Sequence, residues 1–276
     1  MIIGKEIITS RANAGIKQVA SLLEKKGRAE NHAFVAEGVK LCLEALDGGL
    51  PVIGLYISAS KSEQIFSILG DRLESDKHSS VRITLVDDSV FDKISTEKAP
   101  QGVITVIKYL DFFSNKYIIY KEEFFLEKDE RALLLCSLRD PSNLGSVIRS
   151  AVAFGVEHIV LSPDCADIYN PKTIRSAMGS LFKIKATVCD IPSFISAARA
   201  SGRRVFAAEL REHSLPLDEV GLGKNDIVII GNEGHGIPDD ISALTNGGIY
   251  IPISPSTESL NASVAAAVFM WEQCKG

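Results

Sequence analysis

From Arg131 onward the chain alternates short apolar runs with helical segments, and this alternation restricts its folds more than any other feature. The apolar runs are ALLLCSL, EHIVLS, KIKATV, RVFAAEL, DIVIIG and GIYIPI. Between them lie NLGSVIRSAVAFG, TIRSAMGSLF, IPSFISAARASG and the short IPDDISAL, and SLNASVAAAVFMWEQC closes the series; these read as helices. Strands without polar alternation are buried on both faces, so the pattern predicts a parallel sheet with helices on either side. A sheet of that kind binds ligands beyond the carboxyl ends of its strands.

The first 109 residues also mix element types. AGIKQVASLLEKKGR carries Ile16, Val19, Leu22 and Leu23 at helical spacing. VAEGVKLCLEALDGG repeats the pattern and stops at Gly48-Gly49, a good helix terminator. PVIGLYIS, VRITLVD and GVITVIKY read as strands, SEQIFSILGDRL as a helix, and DSVFDKIS as a short helix capped by Asp88 or Ser89. Residues 110–130 are aromatic and charged without a period. The expected organisation is a small α/β domain over 1–109, a linker over 110–130, and a parallel-sheet α/β domain over 131–276.

The chain has 276 residues, which allows one large domain or two ordinary ones, and with 46% hydrophobic and 24% charged residues its composition is that of a globular protein. No apolar run approaches the roughly 20 residues of a membrane helix. The first residues, MIIGKEIITSRANAG, lack a basic stretch followed by an apolar one, so no signal peptide is expected. Five cysteines with no C-x-x-C pair, and five histidines with no H-E-x-x-H spacing, point to a reducing compartment and away from a metal site. A cytoplasmic protein is the expectation. Its net charge of −5 is unevenly placed: residues 1–40 hold seven bases against four acids, +3, leaving −8 for the remainder. A basic segment on an acidic body suits either an RNA-facing patch or a solvated helix face.

Three strand-to-loop transitions hold the unusual residues. Asp140-Pro141-Ser142-Asn143-Leu144-Gly145 opens a helix that carries Arg149. Ile227 to Ile230 empty into Gly231-Asn232-Glu233-Gly234-His235-Gly236. Ile251-Pro252-Ile253 leads through SPSTE to Ser259-Leu260-Asn261. Each has a plain explanation: a turn with Asn143 as helix cap, a glycine turn, and a cap by Ser259 or Asn261. Together they would pool one arginine, one glutamate, two asparagines, serines and glycine amides at the carboxyl ends of strands. No phosphate-loop lysine follows the glycines. Such a set suits a neutral polar ligand such as adenosine, held largely by backbone groups, better than a triphosphate.

DPSNLGSVIRSAVAFG, IIGNEGHGI and IPISPSTESLNASVAAA resemble, in order, the three signature motifs of the SpoU/TrmH RNA 2′-O-ribose methyltransferases. YNPKTIRSAMGSLFKI is similar to the segment between the first two motifs, and the likeness covers residues 131–276. The basic helical stretch over 8–46 resembles the ribosomal-protein-like RNA-binding domain that often precedes such a catalytic domain. The resemblance implies S-adenosylmethionine bound in a deep C-terminal trefoil knot, a homodimer, and methyl transfer to a ribose 2′-hydroxyl, with ribosomal RNA favoured over transfer RNA. Arg149 would be the central catalytic residue, with Asn143 placing it and Glu233, Ser259 and Asn261 shaping the site. A guanidinium keeps its proton, so Arg149 would bind the substrate phosphate and stabilise the developing alkoxide rather than act as a simple base.

Gly231, Asn232, Gly234, Ile251, Ile253 and Leu260 would hold the cofactor, the glycines letting backbone approach the nucleoside. Arg11, Asn13, Lys17, Lys25, Lys26 and Arg28 are the candidate RNA contacts. Val264, Val268, Phe269 and Trp271 would divide between the core and a two-fold interface. Ala262 stands where the family pattern has a slightly larger aliphatic residue, a small packing change. A transfer-RNA or antibiotic-resistance ribosomal-RNA methyltransferase stays open as an alternative. So does a fold that has kept RNA binding and lost the chemistry, although all five candidate catalytic residues are present. A nucleotide-dependent hydrolase is disfavoured by the missing lysine.

Overall fold

The structure is a computed structural model that describes residues 2–3, 6–73, 81–110, 119–120, 126–127 and 130–275. The chain forms two units, Met1–Asn115 with Asp167–Phe182, and Lys116–Ala166 with Lys183–Gly276. Most of the expected linker, 110–130, lies outside the described residues.

In the first unit the order is β1 (Ile2–Ile3), α1 (Ala14–Ser21), α2 (Lys25–Asn31), β2 (Ala33–Glu37), α3 (Val39–Asp47), β3 (Val52–Ser58), α4 (Ser62–Leu69), β4 (Arg82–Val86), α5 (Asp88–Phe91) and β5 (Val103–Lys108). The sheet order is β1-β4-β3-β5-β2, with β1, β4 and β3 parallel and β5 antiparallel to both β3 and β2. One apolar cluster, including Ile16, Val35 and Phe91, covers one face, and a second, including Cys42, Leu55 and Ile65, covers the other.

The single helix expected over 14–28 is two. The chain breaks after Ser21, and α2 then packs so closely that a Cβ on Gly27 would lie 2.1 Å from the Ser21 carbonyl oxygen. Only glycine fits there. Arg28, one residue on, donates from Nη1 to the carbonyls of Leu22 and Leu23 at 2.9 and 2.8 Å. It thereby satisfies carbonyls that the end of α1 leaves without helical partners.

Residues 167–182 cluster with this unit. Tyr169 is buried, stacks on Tyr109 at 4.2 Å and on Phe34 at 4.8 Å, and its hydroxyl accepts from the Leu110 N–H at 2.7 Å. Helix α7 (Pro171–Ala177), capped by Asn170, follows and buries Thr173, Ile174 and Ala177.

The second unit holds β6 (Ile119–Tyr120), β7 (Ala132–Leu135), α6 (Pro141–Ala153), β8 (His158–Leu161), β9 (Lys185–Val188), α8 (Ile191–Ala200), β10 (Val205–Ala208), β11 (Leu215–Pro216), α9 (Leu217–Val220), β12 (Ile227–Ile230), α10 (Asp239–Ser242), β13 (Gly248–Tyr250) and α11 (Ala262–Lys275). Its eight strands run β11-β13-β10-β12-β7-β8-β9-β6, and every pair is parallel. The predicted parallel α/β sheet is therefore present. Strands β7, β8 and β12 are buried along their whole length, as continuous apolar runs require. From β7 the chain builds outward through β8 and β9, then crosses to β10 on the other side. Ligands of open α/β sheets sit at such a reversal.

A buried ionic group lies at the start of β8. Glu130 and His158 are both about 5% exposed; His158 Nδ1 is 3.3 Å from Glu130 Oε1, and its Nε2 is 2.8 Å from Thr187 Oγ1. Lys185 Nζ is 2.8 Å from the same carboxylate. Burial alone would raise the Glu130 carboxyl, but the hydrogen bonds from His158, Lys185 and the Glu127 N–H outweigh it and hold it at about 2, below the ordinary 4.5. A depressed carboxyl stabilises the fold fully above its unfolded value and loses that contribution as pH falls through its folded value. Glu130→Gln should therefore melt below the wild type at pH 6. The gap should close between about pH 4.5 and 2 in thermal melts followed by circular dichroism. A gap independent of pH would remove the ionised carboxylate from the account.

Candidate functional site

Three loops meet at the carboxyl ends of the second sheet. After β7, Asp140 caps α6, accepting from the N–H groups of Ser142 and Asn143 at 2.8 and 2.9 Å, with Pro141 pre-set for the first turn. Asp140 thus takes the capping role that Asn143 also suited, and the Asn143 side chain is released for other work.

After β12, the loop 232–236 closes on itself. Asn232 and Gly236 exchange backbone hydrogen bonds at 3.0 and 2.9 Å, and Gly236 sits at φ +68°. Asn232 Oδ1 accepts from the N–H groups of Gly234 and His235, while its Nδ2 donates to the Ser137 carbonyl at 2.9 Å. A Cβ on Gly231 would lie 2.6–2.7 Å from Gly236 backbone and the Ile237 side chain. The loop's own closure therefore demands glycine at 231, independently of any nucleoside.

After β13, the third loop ends where Asn261 Oδ1 accepts from the Ser263 N–H at 2.9 Å at the start of α11. Ser259 makes no such cap.

Asn143 joins the three. Its Nδ2 donates to Glu233 Oε1 at 2.7 Å, and its Oδ1 accepts from Asn261 Nδ2 at 3.1 Å. Residues 90 and 118 positions away in sequence are thus held on one side-chain amide. Arg149, from the same helix, is exposed and has no partner among the described residues. Asn143 makes no bond to Arg149; its amide nitrogen and oxygen each bond across the loops.

Beside this network lies a cavity of about 320 Å³. Gly231, Asn232, Ile251, Ile253 and Leu260 line it, as do Glu233 and Ser259. Gly234 does not; its N–H is spent on Asn232 inside the loop. The cavity also takes in Ala208, Glu209 and Leu210 from the end of β10 and Phe269 from α11, none of which the motifs single out. The available signal was topological: β10 lies between β13 and β12, so its carboxyl end must open among the same loops. Glu209 Oε1 accepts from Ser242 Oγ at 2.5 Å, and Arg211 Nε is 2.9 Å from Oε2. The lining carries three carboxylates, Glu209, Glu233 and Glu258, and no lysine or arginine. Its inner wall is aliphatic, from Ile230, Ile249 and Ile251. Such a pocket suits an uncharged planar group joined to a cation and disfavours a polyphosphate.

The candidate RNA contacts divide by environment. Lys17, Lys25 and Lys26 are exposed, Lys26 lying 3.8 Å from Glu30 one helical turn on. Arg11 is exposed but bonded through Nε and Nη2 to the Ser89 carbonyl. Asn13 caps α1, accepting from Gly15 and Ile16. Arg28 is only 1% exposed, and its Nε and Nη2 reach Asp167 Oδ2 at 3.1 and 2.6 Å. A guanidinium so enclosed is not available to an RNA phosphate, so Arg28 is a structural residue and not an RNA contact.

Of the apolar residues of α11, Phe269 is buried, Val268 partly so, while Val264 and Trp271 are 48% and 54% exposed. Among the described residues no helix is long and apolar enough to cross a membrane, and no group of three His, Cys, Asp or Glu side chains is placed to hold a metal.

Residues 130–271 match the SpoU rRNA Methylase family, and residues 13–105 match the MRM3-like substrate binding domain. The 23S rRNA (guanosine(2553)-2′-O)-methyltransferase of Bacillus subtilis is 30% identical over 264 residues, covering 96% of this chain and 97% of that protein. The 23S rRNA (uridine(2479)-2′-O)-methyltransferase of Streptomyces viridochromogenes is 27% identical, covering 96% and 90%. The crystal structure of an AdoMet-bound rRNA methyltransferase from Sinorhizobium meliloti shares the fold with a TM-score of 0.80 at 27% identity, covering 99% of this chain and 98% of that one.

Proposed function

The chain belongs to the SpoU rRNA methylase family, and from that membership we propose that it transfers a methyl group from S-adenosylmethionine to a ribose 2′-hydroxyl of ribosomal RNA. The observation that carries this reading is the Asn143–Glu233–Asn261 network, which locks three loops around an acidic, apolar-walled cavity. The cavity fits the cofactor: its aliphatic wall suits the adenine, and its carboxylates suit the cationic sulfonium and ammonium groups. S-adenosylmethionine supplies an electrophilic methyl group. Gly231, Asn232, Ile251, Ile253 and Leu260 hold and orient its nucleoside.

Arg149 has no partner among the described residues and is the group we assign to the incoming RNA. It binds the phosphate beside the target ribose and stabilises the oxyanion that grows as the hydroxyl proton departs to phosphate or water. Glu233, Asn143, Asn261 and Ser259 keep the loops in register around the reaction. The C-terminal segment carrying the second and third loops forms the trefoil knot of the family. The enzyme acts in the cytoplasm as a homodimer, with Val264 and Trp271, seven residues apart on one face of α11, at the two-fold interface. Lys17, Lys25, Lys26 and Arg11 meet the RNA backbone. Ribosomal RNA is favoured over transfer RNA because the Bacillus and Streptomyces relatives carry ribosomal RNA in their names and match along nearly the whole chain.

The test is a map of 2′-O-methylation in total RNA from cells with and without the gene. One ribosomal nucleotide should lose its methyl group in the deletion and regain it in vitro with purified protein and S-adenosylmethionine. Light scattering on the same preparation should give about twice the chain mass of 29.9 kDa. Calorimetry that detects no S-adenosylmethionine binding would instead favour an RNA-binding protein without the chemistry.

A further inference from the structure

We propose that a recess on the sheet of the first unit is a binding subsite for one unstacked RNA nucleotide, its base lying against Tyr56 and its phosphate beside Arg82. The proposal rests on the reading of the chain as an RNA enzyme. The recess, about 230 Å³, is bordered by Gln18 of α1 and Asn31 of α2 on one side, and by Ile53, Tyr56, Arg82 and Thr84 of β3 and β4 on the other.

It is a built feature of the sheet. The register of β3 against β5 shifts between Val52 and Gly54, a bulge that leaves Ile53 unpaired and 41% exposed at the rim. Gly54 then faces Arg82 across one strand pair and Val106 across the other. A Cβ there would come within 3.3 Å of the Arg82 carbonyl oxygen and 3.8 Å of the Tyr56 ring, so glycine keeps the floor low. Bulges and strand glycines recur where a sheet admits a ligand.

The chemistry on the walls is that of single-strand RNA recognition. Tyr56 offers a half-buried aromatic ring. Burial raises its phenol above the ordinary value, against the opposing charge of Arg82. Gln18 Nε2 donates to Asn31 Oδ1 at 3.0 Å and Asn31 Nδ2 to the Gly27 carbonyl at 2.8 Å, which fixes both amides and leaves Gln18 Oε1 without a partner among the described residues. A fixed amide edge can pair with the edge of a splayed base. Arg82 is exposed and has no acidic partner among the described residues. Ring, amide edge and guanidinium together match base, base edge and phosphate.

The experiment uses the full chain, with protein-free ribosomal RNA from cells lacking the gene as probe. Arg82→Glu and Tyr56→Ala should each raise the Kd for this RNA about tenfold in filter binding. At saturating RNA, kcat should hold, and S-adenosylmethionine affinity should not move. Irradiation with the same RNA substituted with 4-thiouridine should place an adduct on the peptide containing Tyr56. Should Tyr56→Ala fail to fold, Arg82→Glu, an exposed substitution, decides the matter with the crosslink. Unchanged RNA affinity in Arg82→Glu, or no adduct on that peptide, overturns the subsite. RNA that binds and crosslinks as expected but is never methylated overturns the functional reading and leaves the subsite standing.

Discussion

Arg149→Ala should lower turnover by at least about 10²-fold while S-adenosylmethionine binds with nearly unchanged affinity. The size follows from the loss of one group that stabilises charge only as it develops. The separation of effects follows from placement. Arg149 does not line the cavity and bonds to no described side chain, so its removal leaves the loops and the cofactor walls as they were. Arg149→Lys should recover only part of the loss, because a single ammonium cannot grip a phosphate with two parallel donors. Asn143→Ala should behave differently. It removes the link to both Glu233 and Asn261, so cofactor affinity and turnover should fall together. Single-turnover rates with saturating RNA, beside calorimetric titration of the cofactor, separate the two patterns. Near-normal turnover in Arg149→Ala would remove it from the centre of the reaction.

The sheet and its three motif loops were legible because each rests on local pattern. ALLL, HIVL and IVII are apolar at every position or nearly so, and glycine and asparagine cluster in the loops beyond the strands. What stayed hidden depends on contacts between distant residues. The strand AFVAE of β2 is short and sits between two helices, and its last three residues open the stretch VAEGVKLCLEALDGG that reads as helix, so nothing local separates it from them. The break after Ser21 depends on how closely Gly27 approaches it, a property of packing rather than periodicity. The segment around Tyr169 reads as part of the second unit, yet the aromatic stack with Phe34 and Tyr109 places it in the first. Gly231 was legible as a glycine position, but the closure of the loop on it, which demands glycine by itself, was not. Glu209 and Leu210 carry no motif at all, and only strand order brings them to the cavity.

Arg28 shows how a charge count can mislead, and its replacement should have the largest effect on stability of any residue in the basic segment. It is one of seven bases in the first forty residues, beside the exposed Lys25 and Lys26. Yet its guanidinium is fully spent within the fold, on two carbonyls at the end of α1 and on Asp167. Arg28→Ala would leave a mostly buried carboxylate unpaired and two carbonyls without donors. Removing one partner of a buried pair costs about 3–5 kcal/mol, and the orphaned carbonyls add to it. Urea unfolding should register that loss, with RNA affinity of the remaining folded protein unchanged at low temperature. Arg28→Lys should recover little, since one ammonium cannot reach both carbonyls and the carboxylate in the same geometry. Reversing Lys25 and Lys26 to glutamate should do the opposite. Exposed side chains of this kind cost little stability when replaced, but RNA affinity should fall, and the slope of log Kd against log salt should flatten by about 0.7–0.9 for each phosphate no longer neutralised. Lysine reversals that leave both affinity and slope in place would assign that face of α2 to solvent. A fold that tolerates Arg28→Ala would mean that the Asp167 pairing holds nothing the rest of the packing does not.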